Sequence, residues 1–207
     1  PRASRSVPFL SKATGCPLVA IAARTMLGQT LAEQGITEPT CREKEFWYVK
    51  APAFSFTKLD GMDAYLSPEM KSTGEAIGYD RKFNRALCKA IEASGVELKD
   101  HGVVIVTLAD EDKDEALPLA ERFYRLGFRL EATAGTAAFL HAHGIPAVLR
   151  GKLSEGSEEI LDSIRSGRVS YIINTRAILS GVHYEDGIAI RRCAIQNGVT
   201  IFTSLDT

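Results

Sequence analysis

The clearest pattern in the sequence begins near Val103, where short runs of apolar, β-branched residues alternate with longer segments whose apolar positions recur at helical spacing. The predicted strands are 103–107, 128–132, 147–149, 169–173 and 199–202, and the predicted helices are 115–126, 136–142, 158–165 and 187–196. Strands that alternate with amphipathic helices are typical of a parallel sheet covered on both faces. The pattern therefore predicts a doubly wound α/β domain with five strands.

Glycine and proline add detail to these predicted helices. A glycine follows each helix at a position where a left-handed residue can end it, namely Gly127, Gly144, Gly167 and Gly198. Pro118 is compatible with the first helix only in or near its first turn, because proline lacks the N–H that the helix interior uses. We therefore expect that helix to begin shortly before Pro118.

The first half of the chain has a less regular pattern. Residues 4–9 are β-prone, residues 18–26 carry an apolar helical stripe, and residues 46–49 have the aromatic and β-branched content of a strand. Proline and glycine then punctuate a long predicted connection as far as Gly74, and a helix is predicted over 81–93 with Asp80 as its N-cap. The change of pattern after Gly95 predicts a boundary between two segments, 1–98 and 99–207.

Composition narrows the functional classes. The 207 residues include 25 basic and 26 acidic side chains, so the net charge of −1 does not indicate a nucleic-acid or anionic membrane partner. No apolar run approaches the roughly 18 residues of a membrane-spanning helix. The cysteines form no C-x-x-C pair, which gives no sign of zinc or of a disulfide framework. We expect a soluble cytoplasmic protein without a metal site in this chain.

The candidate chemistry lies in the loops that follow the predicted strands, because doubly wound sheets bind ligands beyond the carboxyl ends of their strands. The segment Thr133-Ala134-Gly135-Thr136 lies between the second strand and its helix. Gly135 allows a ligand to approach the backbone, the helix start offers unpaired N–H groups, and the two hydroxyls can donate hydrogen bonds. By itself, the segment favours the plainer interpretation of a threonine-capped helix.

Polar side chains also follow three other strands of the predicted sheet. Lys113 follows the first strand, Lys152 the third, and Asn174 with Thr175 the fourth. Two lysines and several polar groups could thus face the edge that carries the threonine segment, which predicts a phosphate-binding site there. This half has no P-loop, nucleophile elbow or evident acid–base pair, so the pattern indicates ligand sensing rather than catalysis.

The residues also resemble a known family. Residues 1–15 (PRASRSVPFLSKATG), 21–24 (IAAR), 49–56 (VKAPAFSF) and 68–75 (PEMKSTGE) resemble the end of the second ATP-grasp module of carbamoyl-phosphate synthase large subunits. From Gly102 the chain is similar to the carboxy-terminal regulatory domain of that family, which has a methylglyoxal-synthase-like fold. The resemblance covers nearly the whole chain. It implies a catalytically incomplete piece of the ligase, because the family's metal-ligating acidic residue and asparagine would precede Arg2.

The resemblance also implies a parent activity and its partners. The family makes carbamoyl phosphate from bicarbonate and glutamine-derived ammonia for pyrimidine and arginine biosynthesis, with ATP and Mg²⁺ or Mn²⁺ as cofactors and a glutaminase small subunit as partner. Arg2 and Arg5 match arginines that contact oxyanions at the second synthetase site. The match extends to a nucleoside monophosphate effector, UMP or IMP, bound by Lys113, Thr133, Gly135, Thr136, Lys152, Asn174, Thr175 and Arg176.

Two points stay open at this stage. Arg176 stands where another family member has threonine, which leaves the nucleotide preference undecided. The segment Ile190-Arg191-Arg192 also fits the family, and we expect its arginines to pair with neighbouring acidic groups rather than to bind a ligand. The alternative function is a stand-alone lyase of the methylglyoxal synthase type, which would need a carboxylate base that the candidate loops do not offer in a family-like motif.

Overall fold

The computed structural model describes residues 6–38, 45–55, 70–175 and 183–205. Contacts divide the chain into two units. The first contains the described residues up to Phe54 and those from Lys71 to Val96, and the second contains Ser55, Met70 and the described residues from Glu97 onwards.

The first unit consists of helices α1 (Ser6–Thr14) and α2 (Leu18–Met26), strands β1 (Trp47–Ala53) and β2 (Gly74–Asp80), and helix α3 (Phe83–Ala93). The two strands pair in antiparallel register from Trp47↔Asp80 to Ala53↔Gly74. Helix α3 contacts both strands, with Ala86 and Ala90 as its buried residues. Among the described residues, α1 and α2 contain no buried side chain.

Two predictions for this unit are wrong. Residues 6–14 are helical where residues 4–9 were expected to be a strand, because Pro8 is tolerated in the first turn and Gly15, at φ 72°, can end the helix. The second concerns strand β2, because the pattern made Asp80 the N-cap of the following helix, whereas Asp80 ends β2 and Lys82 is the N-cap of α3. Gly78 allows β2 to lie against α3, because a Cβ at this position would overlap the backbone atoms of Ala86 and Ala90. Packing, rather than intrinsic β-propensity, forms this strand.

No single described helix is long and apolar enough to cross a membrane. The pair α1 and α2 meets that criterion only when the two are counted together, and they are bent by 113° at the break between them.

The second unit alternates strands and helices as the sequence pattern predicts. Its elements are β3 (Val103–Thr107), α4 (Lys113–Arg125), β4 (Arg129–Thr133), α5 (Ala134–Ala142), β5 (Ala147–Arg150), α6 (Glu159–Arg165), β6 (Val169–Asn174), α7 (His183–Gln196) and β7 (Thr200–Phe202). The four glycines that follow its helices all have positive φ, between 66° and 92°. Helix α4 begins at Lys113, after a 3-10 turn over Asp110–Asp112, so Pro118 is in its second turn, two residues deeper than expected.

The five strands form one sheet in the order β5-β4-β3-β6-β7, and every pair is parallel. An apolar cluster covers each face. One packs α4 and α5 against the sheet, with Val104, Val106, Ala120, Leu130, Leu140 and Ile173 among its members. The other packs α6 and α7, with Val103, Ile105, Ile160, Ile164, Ile172 and Ile190 among its members. The doubly wound α/β prediction is thus confirmed for this unit.

Candidate functional site

The strand order creates a switch point at the carboxyl edge of the sheet, between β3 and β6. The helix that follows β3 packs on one face of the sheet, and the helix that follows β6 packs on the other. The two strands end side by side, with Thr107 paired to Asn174. Loops that diverge to opposite faces leave a crevice, which is where doubly wound folds bind ligands.

A buried hydrogen-bond network holds the strand ends at this switch point. Asn174 Nδ2 donates to Thr107 Oγ1 at 2.8 Å, and Arg191 Nη1 in α7 donates to Asn174 Oδ1 at 3.1 Å. All three side chains are less than a tenth exposed. Gly187 permits this approach, because a Cβ there would lie 2.9 Å from Arg191 Nη1. Asn174 therefore links β3, β6 and α7.

The loop after β3 is held from two sides by threonine hydroxyls. Thr136 Oγ1 accepts a hydrogen bond from Leu108 N at 3.3 Å, and Thr175 Oγ1 accepts one from Ala109 N at 2.9 Å. Thr136 is 1% exposed. These contacts satisfy backbone N–H groups that leave the sheet, which is a common use of hydroxyls beside strand ends.

Positive charge collects immediately beyond this loop. Lys113 Nζ lies 2.6 Å from Asp110 Oδ1 and 6.0 Å from the centre of the Phe139 ring. A Cβ on Gly135 would lie 3.5 Å from the same Nζ, so the ammonium group stands beside the first turn of α5. A helix amino terminus carries partial positive charge and unpaired N–H groups. Helix α5 has neither an acidic residue in its first turn nor a side-chain hydrogen bond from its N-cap, Thr133.

Asp110 is attracted to both lysines, and much more strongly to Lys113. The pKa of this carboxyl lies below its usual range, first because Lys113 donates a hydrogen bond to it and then because Lys113 and Lys152 attract its charged form. Lys152 precedes a 3-10 turn, Leu153–Glu155, at the end of the loop that leaves β5. The loops after β3, β4 and β5 therefore present two cations and a helix terminus to one region.

The structure divides the predicted site residues by accessibility. Lys113, Thr133, Lys152 and Thr175 are partly exposed, and Gly135 is exposed, at the rim of this region. Thr136 and Asn174 are buried beneath them, and their polar groups already bond to protein. Arg2, Arg5 and Arg176 lie outside the described residues.

Two residues of this region were not predicted as site members. Asp110 lies three positions before Lys113, and this spacing alone could have indicated an ion pair. Arg191 was expected to pair with acidic groups, and the structure places it against Asn174. No local sequence signal could have shown this, because α7 and β6 meet only through the fold.

Among the described residues, no group of three histidine, cysteine or carboxylate side chains could hold a metal ion. A cavity of about 350 Å³ lies near the amino-terminal ends of β4 and β5, lined by residues that include Arg129, His141 and Ala147. It is at the opposite end of these strands from the lysines. Its position argues against a role for it in the candidate site.

A comparison with protein families assigns the second unit. Residues 115–203 match the model of the MGS-like domain. The match includes Thr133, Thr136, Lys152 and Asn174 and begins two residues after Lys113. The all-parallel five-stranded sheet and its helices agree with such a fold. The carboxy-terminal unit of this chain therefore contains an MGS-like domain.

Proposed function

We propose that the second unit is a regulatory domain that binds a nucleoside monophosphate, and that the chain is the carboxy-terminal region of a carbamoyl-phosphate synthase large subunit. The observation that carries the binding proposal is that Lys113, Lys152 and the first turn of α5 lie at one edge of the sheet, with Lys113 Nζ beside that turn. The parent assignment is supported by the MGS-like match together with the resemblance of residues 1–98 to the end of an ATP-grasp module.

Charge favours a phosphate monoester as the ligand. Such a group carries about −1.5 to −2 charges near neutral pH, and two lysines with a helix amino terminus offset that charge. Asp110 pairs with Lys113, and the charge of Lys152 adds a weaker attraction, so negative charge is favoured beside these lysines. The Thr133 hydroxyl and the exposed Gly135 backbone lie at the same rim and can supply further donors.

The ligase chemistry belongs to the parent part of the proposal. ATP and Mg²⁺ or Mn²⁺ would serve the synthetase modules, with Arg2 and Arg5 as oxyanion contacts and a glutaminase subunit as the source of ammonia. Phosphoryl transfer depends on metal ions and cations that are positioned together around the transferring group. The described residues offer no cluster of metal-ligating side chains, so we assign effector binding rather than phosphoryl transfer to the second unit.

The alternative lyase function has less support. Asp110 is the carboxylate that the described residues bring to the lysines. A general base works best when its pKa is close to the working pH, and the neighbouring lysines lower the pKa of Asp110 instead. An exposed carboxylate that is paired with a lysine indicates a place where anions bind, and it is poorly suited to abstract a proton.

The test is titration calorimetry with UMP and with IMP on the wild type and on Lys152→Ala. A hydrogen bond to a charged group contributes about 1.5–3 kcal/mol, so we expect Lys152→Ala to weaken binding roughly ten- to a hundredfold. The lost cation should also reduce the salt dependence of binding. Melting curves provide the folding control, because a partly exposed lysine in a loop contributes little to stability.

Lys99→Ala is the matched control for the same charge change. Lys99 is also partly exposed but precedes β3, at the opposite end of the strands. Its removal should leave nucleotide affinity unchanged. If neither nucleotide binds the wild type at millimolar concentration, the sensor proposal is wrong. If Lys152→Ala and Lys99→Ala bind alike, the site lies elsewhere.

A further inference from the structure

A buried carboxylate lies beneath the proposed site in β4, two residues before Thr133. Glu131 is 4% exposed and receives a bidentate contact from Arg150, with Nη2 to Oε1 at 2.7 Å and Nε to Oε2 at 2.9 Å. Ser163 of α6 donates a third hydrogen bond to Oε2 at 2.7 Å. Bidentate pairs of this kind fix the orientation of the guanidinium group in addition to attracting its charge. Glu131 therefore ties together β4, β5 and α6.

The partner of Glu131 leads directly into the loop that carries Lys152. Arg150 is the last residue of β5, and its neighbour across the sheet is Thr133, the N-cap of α5. Gly151 N donates to Glu159 Oε2 at 2.8 Å, and a Cβ at Gly151 would lie only 2.5 Å from Ser157. The Arg150–Gly151 peptide is therefore restrained by strand pairing at Arg150 and by the hydrogen bond to Glu159 at Gly151.

The same restraint continues into Lys152 itself. Its carbonyl accepts hydrogen bonds from Glu155 N at 3.1 Å and Ser157 N at 3.2 Å. The position of its Cα is therefore set by the strand end, by α6 and by the turn that follows. A lysine contributes little to the free energy of ligand binding unless its Cα is placed so that the ammonium group reaches the ligand, because ordering the long side chain costs conformational entropy.

We propose that Glu131 is a positioning residue for nucleotide binding: by holding Arg150, it sets the place from which Lys152 reaches the ligand phosphate. The same contact keeps the Arg150 guanidinium on the Glu131 carboxylate and out of the anion site. This inference rests on the proposed function, since it concerns how the same site binds its phosphate. It adds a residue that does not touch the ligand.

The experiment is a double-mutant cycle on the full chain, with UMP as one probe and inorganic phosphate as the other. Calorimetry compares the wild type, Glu131→Gln, Lys152→Ala and the double variant. Coupled residues depart from additivity, so we expect Glu131→Gln to weaken binding about three- to tenfold in the wild-type background and not at all in the Lys152→Ala background. A purely structural role would lower the melting temperature equally in both backgrounds without this dependence on Lys152.

Two further variants keep the test decisive. Arg150→Lys retains the positive charge but loses the bidentate fork, so it should reproduce the affinity loss of Glu131→Gln even if that variant folds poorly. Glu121→Gln removes the exposed ion pair with Arg125 in α4 and should leave affinity unchanged.

The possible results separate the two proposals. Independent effects of Glu131→Gln and Lys152→Ala would overturn this inference and leave nucleotide binding intact. Tighter phosphate binding by Glu131→Gln would also overturn it, since it would mean that Arg150, once released, binds the anion itself. Failure of the wild type to bind either probe would overturn the nucleotide proposal and this inference with it.

Discussion

The two units of this chain bury very different side chains. In the second unit, β3 and β6 are buried along their whole length, and isoleucine, valine and leucine fill both faces of the sheet. In the described part of the first unit, the buried apolar residues are Ala76, Ala86 and Ala90. Met26 and Leu27, by contrast, are 82% and 87% exposed.

The unit with the larger buried apolar side chains is therefore also the unit that contains the candidate site. Removing apolar surface from water contributes roughly 25 cal/mol per Å², so large buried side chains contribute far more than alanines do. The second unit holds its loops on a rigid sheet, which positions polar groups accurately at the strand ends. The following predictions test how far this difference between the units extends.

The largest effect is expected from Ile172→Ala. Ile172 is fully buried in β6, between the sheet and helices α6 and α7, so the substitution should cost about 2–5 kcal/mol of unfolding free energy. Urea unfolding followed by circular dichroism measures this. Leu27→Ala in the first unit removes a largely exposed side chain and should change stability by less than about 0.5 kcal/mol. Equal costs for the two variants would contradict the comparison.

The next effect is expected from Gly78→Ala in the first unit. A methyl group there would collide with the backbone of Ala86 and Ala90, which cannot move aside as a side chain can, so the cost should be roughly 1–3 kcal/mol. The single tryptophan of the chain, Trp47, lies in β1 and packs edge-on against Phe83 of α3. Its fluorescence therefore reports on this unit.

Gly74→Ala is the control, since among the described residues a Cβ there would meet Ala53 Cβ at an ordinary 3.5 Å. An unchanged fluorescence midpoint for Gly78→Ala would mean that α3 does not pack on β2 as described.

A pH-dependent effect of similar size is expected from Glu131→Gln. Burial raises the pKa of Glu131, but hydrogen bonds from Arg150 and Ser163, together with the positive charges of Arg150 and Arg168, outweigh it, so the pKa lies below its ordinary value. A carboxyl with a lowered folded-state pKa stabilises the protein above its unfolded-state pKa, and that stabilisation is lost as the pH falls through the folded-state value. Near neutral pH the variant should therefore be less stable by about 1–3 kcal/mol, the cost of leaving a buried partner unsatisfied.

Measurements at acid pH test the direction of the pKa shift. The difference between wild type and Glu131→Gln should shrink as the pH falls below the ordinary pKa of a glutamate towards the lowered folded-state value, because the carboxyl binds its proton first in the unfolded state. Thermal melts of both proteins across this range measure it. A difference that stays constant with pH would mean that the charge of Glu131 does not matter.

The smallest effect is expected from Asp110→Asn. Asp110 is almost fully exposed but pairs with Lys113, so it competes with any phosphate for that cation. Its neutralisation should leave the melting temperature unchanged and strengthen UMP binding about two- to fivefold, as for loss of an exposed ion pair. Asp114→Asn, in the first turn of α4, makes the same charge change without an observed pair to Lys113. Weaker UMP binding by Asp110→Asn would place the carboxylate among the ligand contacts instead.

The sequence pattern predicted the second unit more accurately than the first for a physical reason. Each strand of the second unit is a short apolar run between helices with clear polar faces, and most of its element bounds match to within two residues. In the first unit, β2 depends on a glycine that is unfavourable in a strand until α3 packs on it. Local propensity cannot show a packing partner that is distant in the sequence.

The candidate site shows the same division. The order of strands and loops was enough to predict that Lys113, Thr133, Lys152 and Asn174 share one sheet edge, because parallel strands end at the same edge. It could not show that Asn174 and Thr136 are buried, or that Arg191 and Asp110 belong to the region. Those facts depend on which helix packs on which face.

The sequence by itself determined the alternation of elements in the second unit and the positions of its polar loops, since both follow from local periodicity and turn chemistry. Only the tertiary structure decided the strand order, the pairing of Glu131 with Arg150 and the approach of Lys113 to the first turn of α5. Such contacts join residues far apart in the chain, and burial sets their strength. A local sequence pattern shows neither the distance in space between two residues nor their burial.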